Sequence, residues 1–146
     1  MKVLTLISLF CIIVVLGACG GGSSESRAQA DEIVWRNGEP DVIVHHGPVP
    51  KKLIVKDLKP GTGATLKKGT IGTFKYKSFD YRTGQRYEDW WDNPFSTSFG
   101  EGESLGAWET GLRGMREGGR RVLIVPPKQA YTHVPVIYVL ELVSVH

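Results

Sequence analysis

The chain has 146 residues, room for one domain plus ancillary segments, and its 18 basic against 15 acidic residues leave a formal charge of +3. So mild a balance, with no basic stripe interleaved with aromatics, argues against a nucleic-acid partner. Both cysteines fall in the first nineteen residues, and the adjacent His45 and His46 would point to opposite sides of an extended chain. The folded part is therefore expected to hold no disulfide, thiol nucleophile, metal site or cofactor-ligating cluster.

The opening "MKVLTLISLFCIIVVLGAC" has one positive charge at Lys2 and a mostly apolar run over residues 3–16. That is the build of a secretory signal, and the run is shorter than the roughly 20 residues a spanning helix needs. Its end, Leu16-Gly17-Ala18-Cys19, resembles the bacterial lipobox, which makes residues 1–18 a lipoprotein signal peptide and Cys19 the lipidated N-terminus. Two or more acyl chains give stable anchoring, so an extracytoplasmic, membrane-tethered protein is expected.

Residues 19–50 read as that lipidated cysteine and a flexible tether. The stretch "GGGSSESRAQADE" is small and polar. About 30 flexible residues span roughly 30 Å, enough to lift a small domain off the headgroups. Within this segment two β-rich triplets, 33–35 and 42–44, flank Asn37-Gly38 and suggest a weak hairpin or a strand laid on the domain, with Pro40 counting against it.

Residues 51–146 read as the folded domain. Turn residues Pro60, Gly61 and Gly63 follow a β-rich stretch at 53–55. Alternation in "GTFKYKSFDY" predicts a strand with Phe74 and Tyr76 buried and Lys75 and Lys77 in solvent. The less regular "EDWWDNPFSTSFGEG" leads to "ESLGAWETGLRGM", a short helix by its spacing of Leu105, Trp108, Leu112 and Met115, although Gly106, Gly111 and Gly114 each weaken a helix by about 1 kcal/mol. Beyond Gly118-Gly119 come a β-run at 122–125, stopped by Pro126-Pro127, and a strand rich in β-branched residues from 136 onward. Several short strands and one helix imply an α+β domain, an antiparallel sheet packed on the helix.

The block "NPFSTSFGEGESLGAWETGLRGMREGGRRVLIVPP", with "VKDLKPGTGATLKKGT", "FKY", "TGQRYED", "AY" and "VIYVLELV", resembles the FKBP-type peptidyl-prolyl cis-trans isomerases across essentially the whole domain. With the lipobox and tether it is similar to the bacterial secreted lipoproteins of that family. The resemblance implies an FKBP-like twisted antiparallel sheet wrapped around one short α-helix, with an aromatic pocket between them. Trp108 is then the pocket floor, Tyr76, Phe95 and Tyr138 its walls, and Tyr131 the hydroxyl that bonds a peptide carbonyl. Leu105 offers a backbone N–H beside the tryptophan, and Tyr87 and Glu88 stand for the family's Phe-Asp pair.

Such a pocket can turn a prolyl bond without nucleophile, metal or cofactor. The barrier of about 18–20 kcal/mol comes from amide resonance. A twisted amide is less dipolar than a planar one, so an apolar pocket favours the transition state over the ground state. The implied partners are proline-containing unfolded or exported polypeptides, and with no oligomerisation element in the sequence a monomer is the default.

Three positions depart from the family pattern. Glu88 replaces aspartate and carries its carboxylate about 1.5 Å further, enough to disturb a bond to Tyr76. Tyr87 adds a hydroxyl to the wall, and Ser104 replaces a rim valine. Only "THVP" separates Tyr131 from Val136, where the family has a long loop overhanging the pocket. Two readings follow: an isomerase of weak activity, or a non-catalytic FKBP-like module that holds peptides as a holdase or adaptor.

Overall fold

A computed structural model describes residues 32–44, 47–102 and 104–146. The signal, Cys19 and the start of the tether lie outside the described residues, as do His45, His46 and Glu103. In chain order the elements are β1 (Glu32–Arg36), β2 (Glu39–Ile43), β3 (Ile54–Lys59), β4 (Thr70–Asp80), β5 (Arg86–Asp89), β6 (Phe95–Phe99), α1 (Gly106–Gly111), β7 (Arg120–Val125) and β8 (Val136–Val145).

The eleven residues of β4 organise the main sheet, whose order is β3-β7-β8-β4-β5, with β6 also on β4. All pairings are antiparallel. β6 pairs with residues 70–74 of β4 and β5 with residues 77–79. One long strand therefore carries two short partners, and the chain between them, residues 90–94, lies outside both strands, with the Trp90 amide still bonded to the Tyr76 carbonyl at 2.8 Å.

The face of the sheet that meets α1 holds the larger core. Phe74, Leu123, Leu140 and Leu142 of the sheet and Leu112 just after the helix are fully buried there, with Met115 at 3% exposure. The helix is only six residues, shorter than the apolar spacing suggested, because Gly114 takes φ +74° and turns the chain out of it. Gly111 has a different cause: a Cβ there would come within 2.6 Å of Leu123 Cδ2, so its absence lets the helix lie directly on β7. Glycines that weaken the helix locally thus permit its packing.

The opposite face is covered as well. β1 and β2 form a hairpin through Asn37 and Gly38, whose φ values of 53° and 85° are those a two-residue type I′ turn requires. Pro40, opposite Trp35, is tolerated because each strand of a two-stranded hairpin has an unpaired edge. Val42 is buried against a second core that includes Phe79, Val122, Ile124, Ile137 and Val139, with Ile33 and Val44 packed around it. Trp35 packs between the Trp91 ring, 5.8 Å away, and the Arg120 guanidinium, 4.3 Å from its centroid.

This cover overturns one expectation. Lys77 lies under the hairpin at 4% exposure, its Nζ 2.5 Å from Glu39 and 3.2 Å from Asp89. Burial opposes its charge, but the bonds to the two carboxylates outweigh that and raise its pKa above the ordinary lysine value. Alternation along β4 is as predicted; the far side is simply not solvent.

Candidate functional site

Between the sheet and α1 opens a cleft of about 580 Å³. Its floor is Trp108, 4% exposed, whose ring meets Tyr76 at 5.0 Å, Phe74 at 5.5 Å, Tyr138 at 5.6 Å and Phe95 at 6.5 Å between centroids. The planes of Tyr76 and Tyr138 stand nearly perpendicular to the indole, at 88° and 89°. Such edge-to-face pairs each add about 0.5–1.5 kcal/mol beyond area burial and keep the floor in one orientation. The indole Nε1–H is buried without a hydrogen-bond partner among the described residues.

All nine pocket residues expected from the sequence line this one cleft. Tyr76 comes from β4, Phe95 from the start of β6 and Tyr138 from β8, where it pairs with Ser78. Leu105 is the N-cap of α1 at φ −55° and ψ 136°, and its carbonyl accepts from the Trp108 and Glu109 amides. An N-cap amide lies outside the helical ladder, which leaves it for a ligand carbonyl. Ser104 is held at the rim, its Oγ donating to the Ser98 carbonyl at 3.1 Å and lying 3.3 Å from Thr97 Oγ1. Tyr131 is 83% exposed and reaches the cleft only at its edge.

Tyr87 and Glu88 both face the cleft although consecutive strand residues ordinarily alternate. The register of β5 explains this. Ser78 pairs with Glu88 and Phe79 with Arg86, so Tyr87 is an extra, bulged residue, a common device for re-aiming a side chain beside a site. The Tyr87 hydroxyl donates to Asp80 Oδ2, while Asp80 Oδ1 accepts from the Arg82 and Thr83 amides at 2.7 and 2.8 Å. Burial works against the Asp80 charge, but these bonds prevail and lower its pKa below the usual carboxylate value. The hydroxyl that departs from the family pattern thus ties the wall to the β4–β5 turn.

Glu88 Oε2 accepts a bond from Ser78 Oγ at 3.0 Å, so the longer side chain has a partner of its own within the wall. Burial first, and the Glu88 charge second, push the Tyr138 hydroxyl up to about 12 and raise that of Tyr76 further. Both remain protonated donors across any physiological pH.

Five lining residues were missed by sequence reasoning: Ser78, Trp90, Thr97, Thr132 and Val136. Ser78 is 1% exposed yet reaches the cleft, and Trp90 stacks on Tyr76 at 6.4 Å and 25° and meets Phe95 at 5.8 Å. The available signal was the pair Trp90-Trp91: on an extended chain two adjacent tryptophans need two apolar destinations. Trp90 takes the cleft and Trp91 takes Trp35.

A hydrophobic cleft floored by one tryptophan, walled by rings and edged with hydroxyl and amide donors suits an apolar group flanked by hydrogen-bond acceptors. No group of three or more His, Cys, Asp or Glu among the described residues is placed to hold a metal. A family model described as FKBP-type peptidyl-prolyl cis-trans isomerase matches residues 63–137. A probable FK506-binding protein of Corynebacterium glutamicum is 32% identical over 93 residues, which are 64% of this chain and 79% of that protein. The FK506-binding protein of Streptomyces anulatus is 32% identical over 95 residues, 64% of this chain and 77% of its own length. Among solved structures, AtFKBP13 superposes with a TM-score of 0.57 at 21% identity, covering 66% of this chain and 94% of its own, and Escherichia coli FkpA with 0.56 at 23%, covering 64% and 47%. Those two likenesses speak to the fold. The chain belongs to the FKBP-type peptidyl-prolyl cis-trans isomerase family.

Proposed function

We propose that this isomerase works at the outer face of a bacterial cell membrane, held there by lipid on Cys19, and turns proline bonds slowly in exported polypeptides that have not yet folded. The observation that carries the substrate class is the Trp108 floor with perpendicular Tyr76 and Tyr138, a socket for a five-membered apolar ring. Slow turnover is supported by Tyr131, which stands 83% exposed where only four residues lead to β8. A carbonyl bonded to it would stay open to water, and water competes for every such bond. The location rests on the signal-like first eighteen residues and the cysteine that ends them. Among the described residues no helix is long and apolar enough to cross a membrane.

The test is NMR exchange spectroscopy on a short X-Pro peptide. Exchange should rise above background, with kcat/KM below that of a family member retaining the long loop. Peptide binding without faster exchange would instead make the chain a peptide-holding module. For the anchor, labelled fatty acid should remain on the wild-type protein in a bacterial host and be lost from Cys19→Ser; label retained by the variant would overturn lipidation at that residue.

A further inference from the structure

Beside the Tyr87–Asp80 and Ser78–Glu88 side-chain bonds and the stacking of Trp90 on Tyr76, the cleft wall made by β5 and Trp90 has little backbone support of its own. β5 is four residues long, all of them exposed, and its single partner strand is β4, in a ladder broken by the Tyr87 bulge. One backbone bond, from the Trp90 N–H to the Tyr76 carbonyl at 2.8 Å, then closes Trp90 onto β4. Short, exposed edge segments of this kind open locally at low free energy.

Each cleft-facing residue here has a neighbour in the chain that faces the other way. Glu88 is followed by Asp89, whose carboxylate is 3.2 Å from Lys77 Nζ, and Lys77 is in turn 2.5 Å from Glu39 on the hairpin. Trp90 is followed by Trp91, 5% exposed, which packs on hairpin residue Trp35, itself under the Arg120 guanidinium. The two ends of the wall segment are therefore fastened, through the sheet, to an element on the far side from the substrate.

We propose that the N-terminal hairpin is a positioning element for the cleft, with Glu39 and Trp35 its positioning residues: docked, it holds Glu88 and Trp90 in place to receive substrate. Neither residue lines the cleft. The floor residue Trp108 and the N-cap Leu105 belong to the core on the helix side of the sheet, whereas the hairpin packs into the core on the other side, so the effect falls on binding rather than on the turning step. The kinetic form of this inference rests on the cleft being the isomerase site, whereas its structural form does not.

Glu39→Gln and Trp35→Ala should therefore raise KM for an X-Pro peptide about 3- to 10-fold while leaving kcat within about twofold. In the peptide-free protein, hydrogen exchange at the Trp90 amide should quicken in both variants, while the Leu112 amide, bonded to the Trp108 carbonyl at 2.8 Å, should exchange as in wild type. Trp35→Phe, which keeps a ring between Trp91 and Arg120, should restore both readouts toward wild type. An unchanged Trp90 amide in Glu39→Gln and Trp35→Ala would overturn the proposal. So would equal acceleration at Trp90 and Leu112, since that is general loss of stability. Faster exchange at Trp90 alone, in a protein with no measurable isomerase activity, would uphold the coupling and count against the catalytic reading of the cleft.

Discussion

Leu112→Ala is expected to lower the free energy of unfolding by about 2–5 kcal/mol, with the upper half of that range favoured by the local packing. The side chain is fully buried, one turn beyond Trp108. The loss on truncation depends on how far the surroundings can close over the void. Here they cannot close far: helix and sheet already touch at Gly111, where even a Cβ would sit 2.6 Å from Leu123 Cδ2. Against a typical total of about 5–15 kcal/mol, such a loss is a large fraction of the stability. Urea unfolding followed by far-UV circular dichroism measures it, and below the midpoint isomerase activity should persist, because Leu112 does not line the cleft. An unchanged midpoint would show that α1 is held by something other than this contact.

How much of this was legible beforehand follows from the range of each interaction. The pocket residues were, since a family pattern fixes them by type and spacing, and all nine line one cleft. The covered back of the sheet was not. Alternation in β4 marks two faces but does not say what lies on either, so Lys77 looked like any solvated lysine; its burial depends on Glu39, thirty-eight positions earlier in the chain. The hairpin itself was half visible. Asn37-Gly38 is a strong local turn signal, and Pro40 obscured it only because an isolated strand pattern does not show which edge will be free.

β5 and β6 escaped for a related reason. Each is short and exposed over much of its length, so neither shows the period-two apolar pattern that announced β4. The bulge at Tyr87 further breaks whatever alternation β5 has. Sequence periodicity reports burial, and strands that wall a cleft bury little until substrate arrives. The same fact places them among the least self-supporting parts of the sheet.

Trp108→Leu should separate the two roles of α1 by reversing the pattern of Leu112→Ala. We expect kcat/KM for an X-Pro peptide to fall about tenfold or more, since removing the indole takes away the floor of the proposed proline socket and the perpendicular pairs that orient Tyr76 and Tyr138, and about 1.4 kcal/mol already equals a factor of ten. Stability should fall less than for a core truncation, by about 1–3 kcal/mol. Trp108 is buried in the same core, so the change is not free, but leucine refills part of the volume and removes an indole N–H that has no hydrogen-bond partner among the described residues. Exchange kinetics and urea unfolding on the same preparation give both quantities. If activity held while stability dropped, Trp108 would be core rather than floor, and the proline socket would have to be sought between Tyr76, Trp90 and Phe95, the other ring cluster of the cleft.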